Sequence, residues 1–395
     1  MKILHIVGDS KFGGGAHIII GLCSMAKQAG HDVSVLTTDR IMQQVLSEKG
    51  IRSVSVDVIR REISPLRDLK GLFRLYKMLR EGGYALVHTH TSKGGVVGRL
   101  AARMAGVPIV VHTVHGFAFH EESPTGELVV YSLIERLAAR WCDALVTVSE
   151  FHRDWALRLG IGCPTKVLAI PNGISEQRLA SSCASDTLRA RLKIQSNALF
   201  ILALGRLAPQ KGLEDLLCAV PMMTARLGRP VKTVLVGDGP LLEKLEKIVC
   251  DCHLGESVVF AGFHADVGSF LSACDVVALP SLREGLSIAL LEAMAAEKPI
   301  VTTRIGSNLE ATRNGEAAVL IPPHDPGALA EAIIGLVNDP IRARVLSQKA
   351  RAIFLENYTE RRMLDGYKAL YDDLAKRHIC PGLTGSQLNL LSKGL

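Results

Sequence analysis

The sequence predicts an α/β protein of two tandem domains, each a parallel sheet wound by crossover helices. Three observations lead there. Short β-branched runs alternate with helical stretches in both halves of the chain. Each half places a glycine-bearing turn directly after its first run, where a strand hands over to a helix. The length, 395 residues, suits two domains at about 100–200 residues apiece.

The first series of strands is read as Ile3–Val7, Val33–Thr37, Ser53–Val58, Ala85–His88, Ile109–His112 and Ala144–Val148. The second is Phe200–Leu204, Thr233–Val236, Val258–Ala261, Val276–Leu279, Ile300–Thr303 and Ala318–Ile321. Between them lie Pro171-Asn172-Gly173 and then Ala180–Asn197, rich in Ser, Ala and charge, which reads as an interdomain linker. The domains are therefore expected at 1–180 and 198–355. A helix over 356–378, with Tyr358, Met363, Tyr367, Leu370 and Leu374 near helical spacing, could cross back to the first domain. The polar stretch Thr384 to Gly394 reads as disordered. In such a pair the carboxyl ends of both sheets are expected to face a central cleft, and ligands bind at those ends.

Composition narrows the classes. Hydrophobic residues make up 48 % and charged residues 22 %, an ordinary globular balance that excludes a disordered or low-complexity chain. Aromatics are 5 %, too few for base-stacking platforms, and no nucleic-acid reading motif stands out at a net charge of +7. No apolar stretch approaches the roughly 18 residues of a membrane span. Met1–Val7 is too short for a signal peptide and reads as a strand. The 9 cysteines are scattered, and Cys250 and Cys252 have no matching pair downstream. Neither a disulfide framework nor a zinc pattern results, and a reducing cytoplasm fits.

Four motifs sit at strand ends. Gly13-Gly14-Gly15 follows the first strand and precedes an apolar helix read as Ile18–Ala29. Glycine lets a ligand approach the backbone, and a helix N-terminus favours an anion. Gly8 is followed by Asp9, Ser10, Lys11 and Phe12, so the dinucleotide fingerprint is missing. A plain strand-to-helix turn is the alternative. The second motif is Gly205-Arg206-Leu207-Ala208-Pro209-Gln210-Lys211-Gly212, before a helix from Leu213. Arginine offers a planar fork and lysine a point charge, a set suited to a diphosphate; a solvated surface pair is the alternative.

The third runs from Glu284 through Gly285, Leu286 and Ser287 to Glu292. At roughly 100° per residue the two acids fall about 80° apart on a helix, so Glu284 is placed in the loop and Glu292 two turns into the helix. Gly285, Leu286 and Ser287 then offer backbone N–H groups to phosphate; an ordinary capped helix is the alternative. The fourth is His88-Thr89-His90 with His112-Thr113-Val114-His115. No carboxylate lies close in sequence and the spacing suits no helix, which argues against a metal. His115 is expected to work as an acid/base or hydrogen-bonding group, and His88 to be a satisfied strand residue.

Taken in order, Gly14-Gly15, Pro171-Asn172-Gly173, Gly205-Arg206…Lys211-Gly212, Gly237-Asp238-Gly239-Pro240 and Glu284-x7-Glu292 resemble the family 4 retaining glycosyltransferases of the GT-B fold, over about residues 1–375. The stretch Thr113–His120 is similar to the branch that builds bacterial capsule, exopolysaccharide and lipopolysaccharide. The resemblance implies that Arg206 and Lys211 hold the nucleotide diphosphate. It implies that Glu284 binds donor-sugar hydroxyls, Glu292 the ribose, and Leu286 and Ser287 the phosphate. Gly14 and Gly15 would admit donor and acceptor, His115 would line the sugar site, and the base would rest at Gly262 and Phe263. No Asp-x-Asp occurs, which fits a metal-independent enzyme without cofactor in which protein cations replace the divalent ion.

The implied reaction moves a hexose or N-acetylhexosamine from a nucleotide sugar, UDP-linked by the resemblance, to a polyprenyl-diphosphate-linked or glycan acceptor. A UDP-GlcNAc 2-epimerase-like enzyme and a non-catalytic protein of the same fold are the alternatives. Ser64–Tyr84 reads as a helix with Leu66, Leu69, Phe73 and Tyr76 at helical spacing and Arg67, Lys70, Arg74 and Lys77 as a separate stripe. A solvated outer face or a contact with anionic lipid would both use such a helix, and the second implies a cytoplasmic enzyme peripheral on the inner membrane face.

Overall fold

The computed structural model describes residues 1–8, 12–55, 64–121, 123–180 and 182–379. They form two compact units: Met1–Pro171 with the segment from Arg361 onward, and Asn172–Glu360.

The first unit runs β1 (Lys2–Gly8), α1 (Gly14–Gln28), β2 (Asp32–Thr37), α2 (Arg40–Glu48), β3 (Arg52–Val54), α3 (Pro65–Gly82), β4 (Leu86–Thr89), α4 (Ser92–Met104), β5 (Ile109–Val114), α5 (Thr125–Ala138), β6 (Ala144–Thr147), α6 (Glu150–Arg158) and β7 (Val167–Ala169). The strands form one parallel sheet in the order β3-β2-β1-β4-β5-β6-β7. Every residue of β4, β5 and β6 is buried, as strands covered on both faces require. The chain moves outward from β1 to β3 and then returns past β1 to β4. Right-handed crossovers therefore put α1 and α2 on one face and α3, α4 and α5 on the other. Helix α4 lies close to the sheet because glycines face it: a Cβ at Gly95 would sit 2.3 Å from the His112 ring, and one at Gly98 2.8 Å from Thr89.

The second unit carries α7 (Ser185–Arg191), β8 (Leu199–Leu204), α8 (Leu213–Leu227), β9 (Val231–Val236), α9 (Leu242–Asp251), β10 (Val258–Gly262), α10 (Val267–Ala273), β11 (Val276–Leu279), α11 (Ile288–Ala295), β12 (Ile300–Thr303), α12 (Gly306–Ala311), β13 (Val319–Ile321), α13 (Pro326–Asn338) and α14 (Pro340–Asn357). Its parallel sheet has the order β10-β9-β8-β11-β12-β13. Leu216, Leu217 and Val220 of α8 and Ile333 of α13 close over the fully buried Leu199 and Ile201. The last helix, α15 (Glu360–Ile379), returns to the first unit, where Tyr367 and Tyr371 reach Thr113 and His88.

Several elements differ from the sequence reading. The strand expected at Ser53–Val58 is β3, Arg52–Val54, and its residues from 56 lie outside the described residues, as does the tail Thr384 to Gly394. The stretch read as linker contains α7, held to the second unit by Arg189, whose Nη2 lies 2.9 Å from Asp275. Strand β7 was not foreseen; it is a three-residue edge strand. In α3 the inward face is Leu75 and Leu79, while Leu66, Leu69 and Phe73 point outward beside the cations.

Candidate active site

In each sheet the strand order reverses direction once, between β1 and β4 and between β8 and β11. Ligands of open α/β sheets bind outside the carboxyl ends at such a switch point. Gly14, Gly15, Arg206, Lys211, Glu284, Leu286 and Ser287 follow the strands that flank these two places, whereas His115 follows β5 and Gly262 and Phe263 lie at the end of the edge strand β10.

In the second unit three loops meet backbone to backbone. Gly205 follows β8 with φ +128° and Gly237 follows β9 with φ +147°. A Cβ at Gly237 would lie 1.9 Å from the Gly205 carbonyl, and one at Gly212 2.1 Å from that of Pro280. Glycine at these positions lets the loops after β8, β9 and β11 touch. The Leu282 N–H donates to the Gln210 carbonyl at 2.8 Å and ties two of them. Arg206, Lys211 and Glu284 thereby share one edge.

Lys211 is engaged: its ammonium pairs with Glu284, which also accepts from Ser281 Oγ at 2.8 Å. Arg206 is exposed and has no ion pair among the described residues. Ser287 caps α11, accepting from the Leu290 N–H at 3.4 Å. Among the described residues the N–H groups of Gly285, Leu286 and Ser287 have no partner. They stand ready for an anion, as a helix start provides.

Glu292 lies one turn into α11, because the helix begins at Ile288 rather than at Gly285. It is buried, and burial pushes its carboxyl up to about 7, partly offset by Arg178 and Lys211. Its Oε1 is 3.1 Å from Arg178 Nη2, a charge contact without hydrogen-bond geometry. Arg178 sits on the short 3₁₀ turn Glu176–Leu179 and was missed in the sequence, where no local signal connects it to Glu292. Asn172 was noted only as part of a turn; its Nδ2 donates to the Leu286 carbonyl at 3.3 Å and ties the loop that precedes α11. Gly262 ends β10 with φ +74°, and the Gly237 N–H donates to its carbonyl at 2.8 Å. Phe263 beside it is half exposed.

In the first unit α1 begins at Gly14, so Gly14 and Gly15 form its first turn rather than a loop before it. A Cβ at Gly15 would meet nothing within 4 Å, so packing within the unit does not explain this glycine. Across the switch point the register sets His5 of β1 opposite His88 of β4. A hydrogen-bonded row follows. His115 Nε2 lies 3.2 Å from His90 Nδ1, and His90 Nε2 lies 3.0 Å from His5 Nδ1. The His88 ring lies against His90, tilted by 33° with ring centroids 4.1 Å apart.

Burial lowers the pKa of all four imidazoles, and neighbouring histidines lower His88 and His90 further. One nitrogen each of His5, His88 and His90 falls within 4.8 Å of the others. Yet His88 commits both nitrogens, to Tyr371 Oη at 2.6 Å and Thr113 Oγ1 at 2.8 Å, which fits a packed hydrogen-bond network better than a ligand set. His88 is thus a satisfied strand residue.

Comparison with known proteins decides the family. Residues 13–173 match a glycosyl transferase 4-like domain, and residues 184–353 match glycosyl transferases group 1. The chain belongs to the family 4 glycosyltransferases. This glycosyltransferase is 32 % identical over 330 residues to the Escherichia coli UDP-Gal:alpha-D-GlcNAc-diphosphoundecaprenol alpha-1,3-galactosyltransferase, covering 83 % of this chain and 85 % of that one. It is 28 % identical over 354 residues to the putative glycosyltransferase EpsD of Bacillus subtilis (strain 168), covering 88 % and 91 %. Among solved structures, HepE of Anabaena in complex with UDP-glucose superposes with a TM-score of 0.81 at 24 % identity, over 94 % of this chain and 99 % of that one. The two Rossmann-like parallel-sheet units are those of the GT-B fold.

Proposed function

We propose that this glycosyltransferase moves a hexose or N-acetylhexosamine, with retention at the anomeric carbon, from a UDP-sugar to a polyprenyl-diphosphate-linked or glycan acceptor in bacterial surface-polysaccharide assembly. The observation that carries the reading is the shared edge of the second unit. An open Arg206, a Lys211–Glu284 pair and three unpartnered N–H groups before α11 converge where a diphosphate would lie. The Escherichia coli relative supports the donor and acceptor classes, since its name specifies UDP-Gal and a diphosphoundecaprenol-linked sugar.

Breaking the anomeric C–O bond builds negative charge on the departing diphosphate. Arg206 and the N–H groups of Gly285, Leu286 and Ser287 would offset that charge without rearranging. Glu284 would take donor hydroxyls while holding Lys211 in place. Glu292, its pKa raised to about 7, is present in both protonation states near neutral pH and can donate to a ribose oxygen in one and accept from a ribose hydroxyl in the other. The acceptor would attack the face the diphosphate leaves, with a phosphate oxygen as base. On the first unit His115, held neutral, offers an uncharged partner to sugar hydroxyls. Protein cations would take the place of a divalent ion. Docking through the cationic side of α3 would place the enzyme on the inner membrane face.

Thermal-shift screening against UDP- and GDP-sugars tests the donor. A bound nucleotide sugar at a hundredfold excess over Kd should stabilise by about 2.7 kcal/mol. No shift with any nucleotide sugar sinks the reading, and loss of turnover in EDTA sinks metal independence.

A further inference from the structure

Three neighbouring strands of the first unit each contribute one ring to a row: His5 lies within β1, His90 just past β4 and His115 just past β5. The His90 N–H donates to the Ile6 carbonyl at 3.0 Å, which fixes this residue against β1. Its ring bridges the other two, with Nδ1 at 3.2 Å from His115 Nε2 and Nε2 at 3.0 Å from His5 Nδ1. His5 and His90 are buried, whereas His115 is partly exposed. His88 touches the row but takes no hydrogen bond in it, since Tyr371 and Thr113 occupy both its nitrogens.

Burial disfavours a second proton on all three rings, so each carries one. Each N···N contact needs one nitrogen with a proton and one without. Only two assignments satisfy both contacts: all three rings protonated at Nδ1, or all three at Nε2. The row is therefore collective, and its ends set its direction. At the inner end His5 Nε2 is buried without a partner. At the outer end His115 Nδ1 has no partner among the described residues. Protonation at Nε2 throughout would leave an N–H of His5 orphaned in the interior. Protonation at Nδ1 throughout leaves only a bare nitrogen there, and the last N–H emerges at His115, where an oxygen can accept it. Among buried backbone groups an unmet N–H is rarer than an unmet acceptor, and the same desolvation cost applies to a ring.

We infer that His90, backed by His5, is a positioning residue that holds His115 in the tautomer protonated at Nδ1, so that His115 meets a sugar oxygen as a hydrogen-bond donor. The inference rests on the glycosyl-transfer reading above and adds what fixes the orientation and the proton of His115. With Nε2 taken by His90, the ring offers the substrate one donor and no acceptor. It thereby favours a sugar that presents an oxygen lone pair at this point.

The test is long-range proton–nitrogen NMR correlation of the full chain labelled with nitrogen-15 histidine, near neutral pH, with sugar transfer assayed on the same samples. His115 signals are assigned by their loss in His115→Gln. In the wild type His5, His90 and His115 should all be protonated at Nδ1. His90→Leu, of similar bulk, removes the partner of His115 Nε2. His115 should then show a mixture of tautomers, and transfer should fall by about tenfold, the worth of one hydrogen bond. Affinity for UDP alone should stay at the wild-type value, because the edge proposed to hold it belongs to the second unit. His90→Asn, whose amide nitrogen stands in for Nδ1, should restore the single tautomer and most of the transfer. A packing role alone would lower the melting temperature and leave the tautomer of His115 unmoved. His115 protonated at Nε2 in the wild type overturns the inference, as does a His90→Leu chain with wild-type tautomer and turnover. So does a stoichiometric metal ion whose removal shifts the His5 and His90 signals, since the row would then be a ligand set. Should His90→Leu fail to fold, the wild-type spectrum and His90→Asn still decide. Absence of both UDP binding and transfer in the wild type would instead remove the glycosyl-transfer reading, with the tautomers still read from the spectrum.

Discussion

The two units share one architecture and place opposite chemistry at the same topological point. At the β1/β4 switch the first unit packs His5, His88 and His90 beside His115, all held neutral by burial. At the β8/β11 switch the second unit gathers charged groups: Arg206, the Lys211–Glu284 pair, and Arg178 against a buried Glu292 whose pKa is raised to about 7. The contrast teaches that the sheet supplies only a location. Charged groups suit a diphosphate, while neutral imidazoles suit hydroxyls without repelling or trapping them. It also predicts that the two units answer pH in opposite senses.

The largest expected effect is acid lability of the first unit. His5, His88, His90 and His112 are buried with pKa values lowered in the folded state. The unfolded chain therefore binds more protons below pH about 6.5, and each imidazole lowers stability by about 1.4 kcal/mol per pH unit from there down to its folded value. Besides one another, these rings face Arg99, Thr89, Thr113, Tyr367 and Tyr371, and no acidic partner compensates them among the described residues. Hydrogen exchange between pH 7 and 5 should show β1, β4 and β5 losing protection before β8 and β11. Equal loss in both units would erase the comparison.

Next comes the edge proposed to hold the diphosphate. Arg206→Ala should slow transfer by about 10²–10³-fold with the melting temperature unchanged, as loss of one preorganised donor does. Lys211→Ala should cost at least as much, because it also frees Glu284. UDP release with and without acceptor measures both, and wild-type turnover in either variant would move the diphosphate elsewhere.

Glu292 tests the opposite sign. Its folded pKa is raised from an ordinary 4.5 to about 7. The native state thus holds the proton that the unfolded state has released, and this carboxyl destabilises the fold progressively as pH rises from 4.5 to 7. Glu292→Gln removes that penalty, so its stability relative to wild type should climb over this window by on the order of 1 kcal/mol or more. A flat difference in thermal melts would show that Arg178 fully compensates the charge. The smallest effect is expected at the α11 cap: Ser287→Ala should cost about 1 kcal/mol of stability. A further weakening of UDP binding would indicate that the cap also aims the N–H groups.

Much of the fold was legible because buried parallel strands are continuous β-branched runs and their turns carry glycine. Strand β7 was not, since three edge residues give no periodicity of their own. The α7 segment looked like linker because Leu188 is its single buried residue. At the site, Arg206, Lys211 and Glu284 could be read locally, each at a strand end. The Arg178–Glu292 contact and the His5–His90 bond could not, because each joins residues far apart in sequence. Only the register of β1 against β4 reveals that His5 belongs with His88 and His90. The orientation of helix α3 was left open for a related reason. Spacing shows that its leucines share a side, but not whether that side meets the sheet.

Helix α15 carries a consequence for synthesis. Tyr367 and Tyr371, which complete the hydrogen bonding of Thr113 and His88, are made after the entire second unit. On the ribosome the contiguous Asn172–Glu360 can mature at once, while the earlier-born half must wait, its imidazoles uncapped, for residues 361–379 to emerge. A nascent chain arrested before Tyr367 should therefore present a protease-resistant later half and a protease-sensitive earlier one.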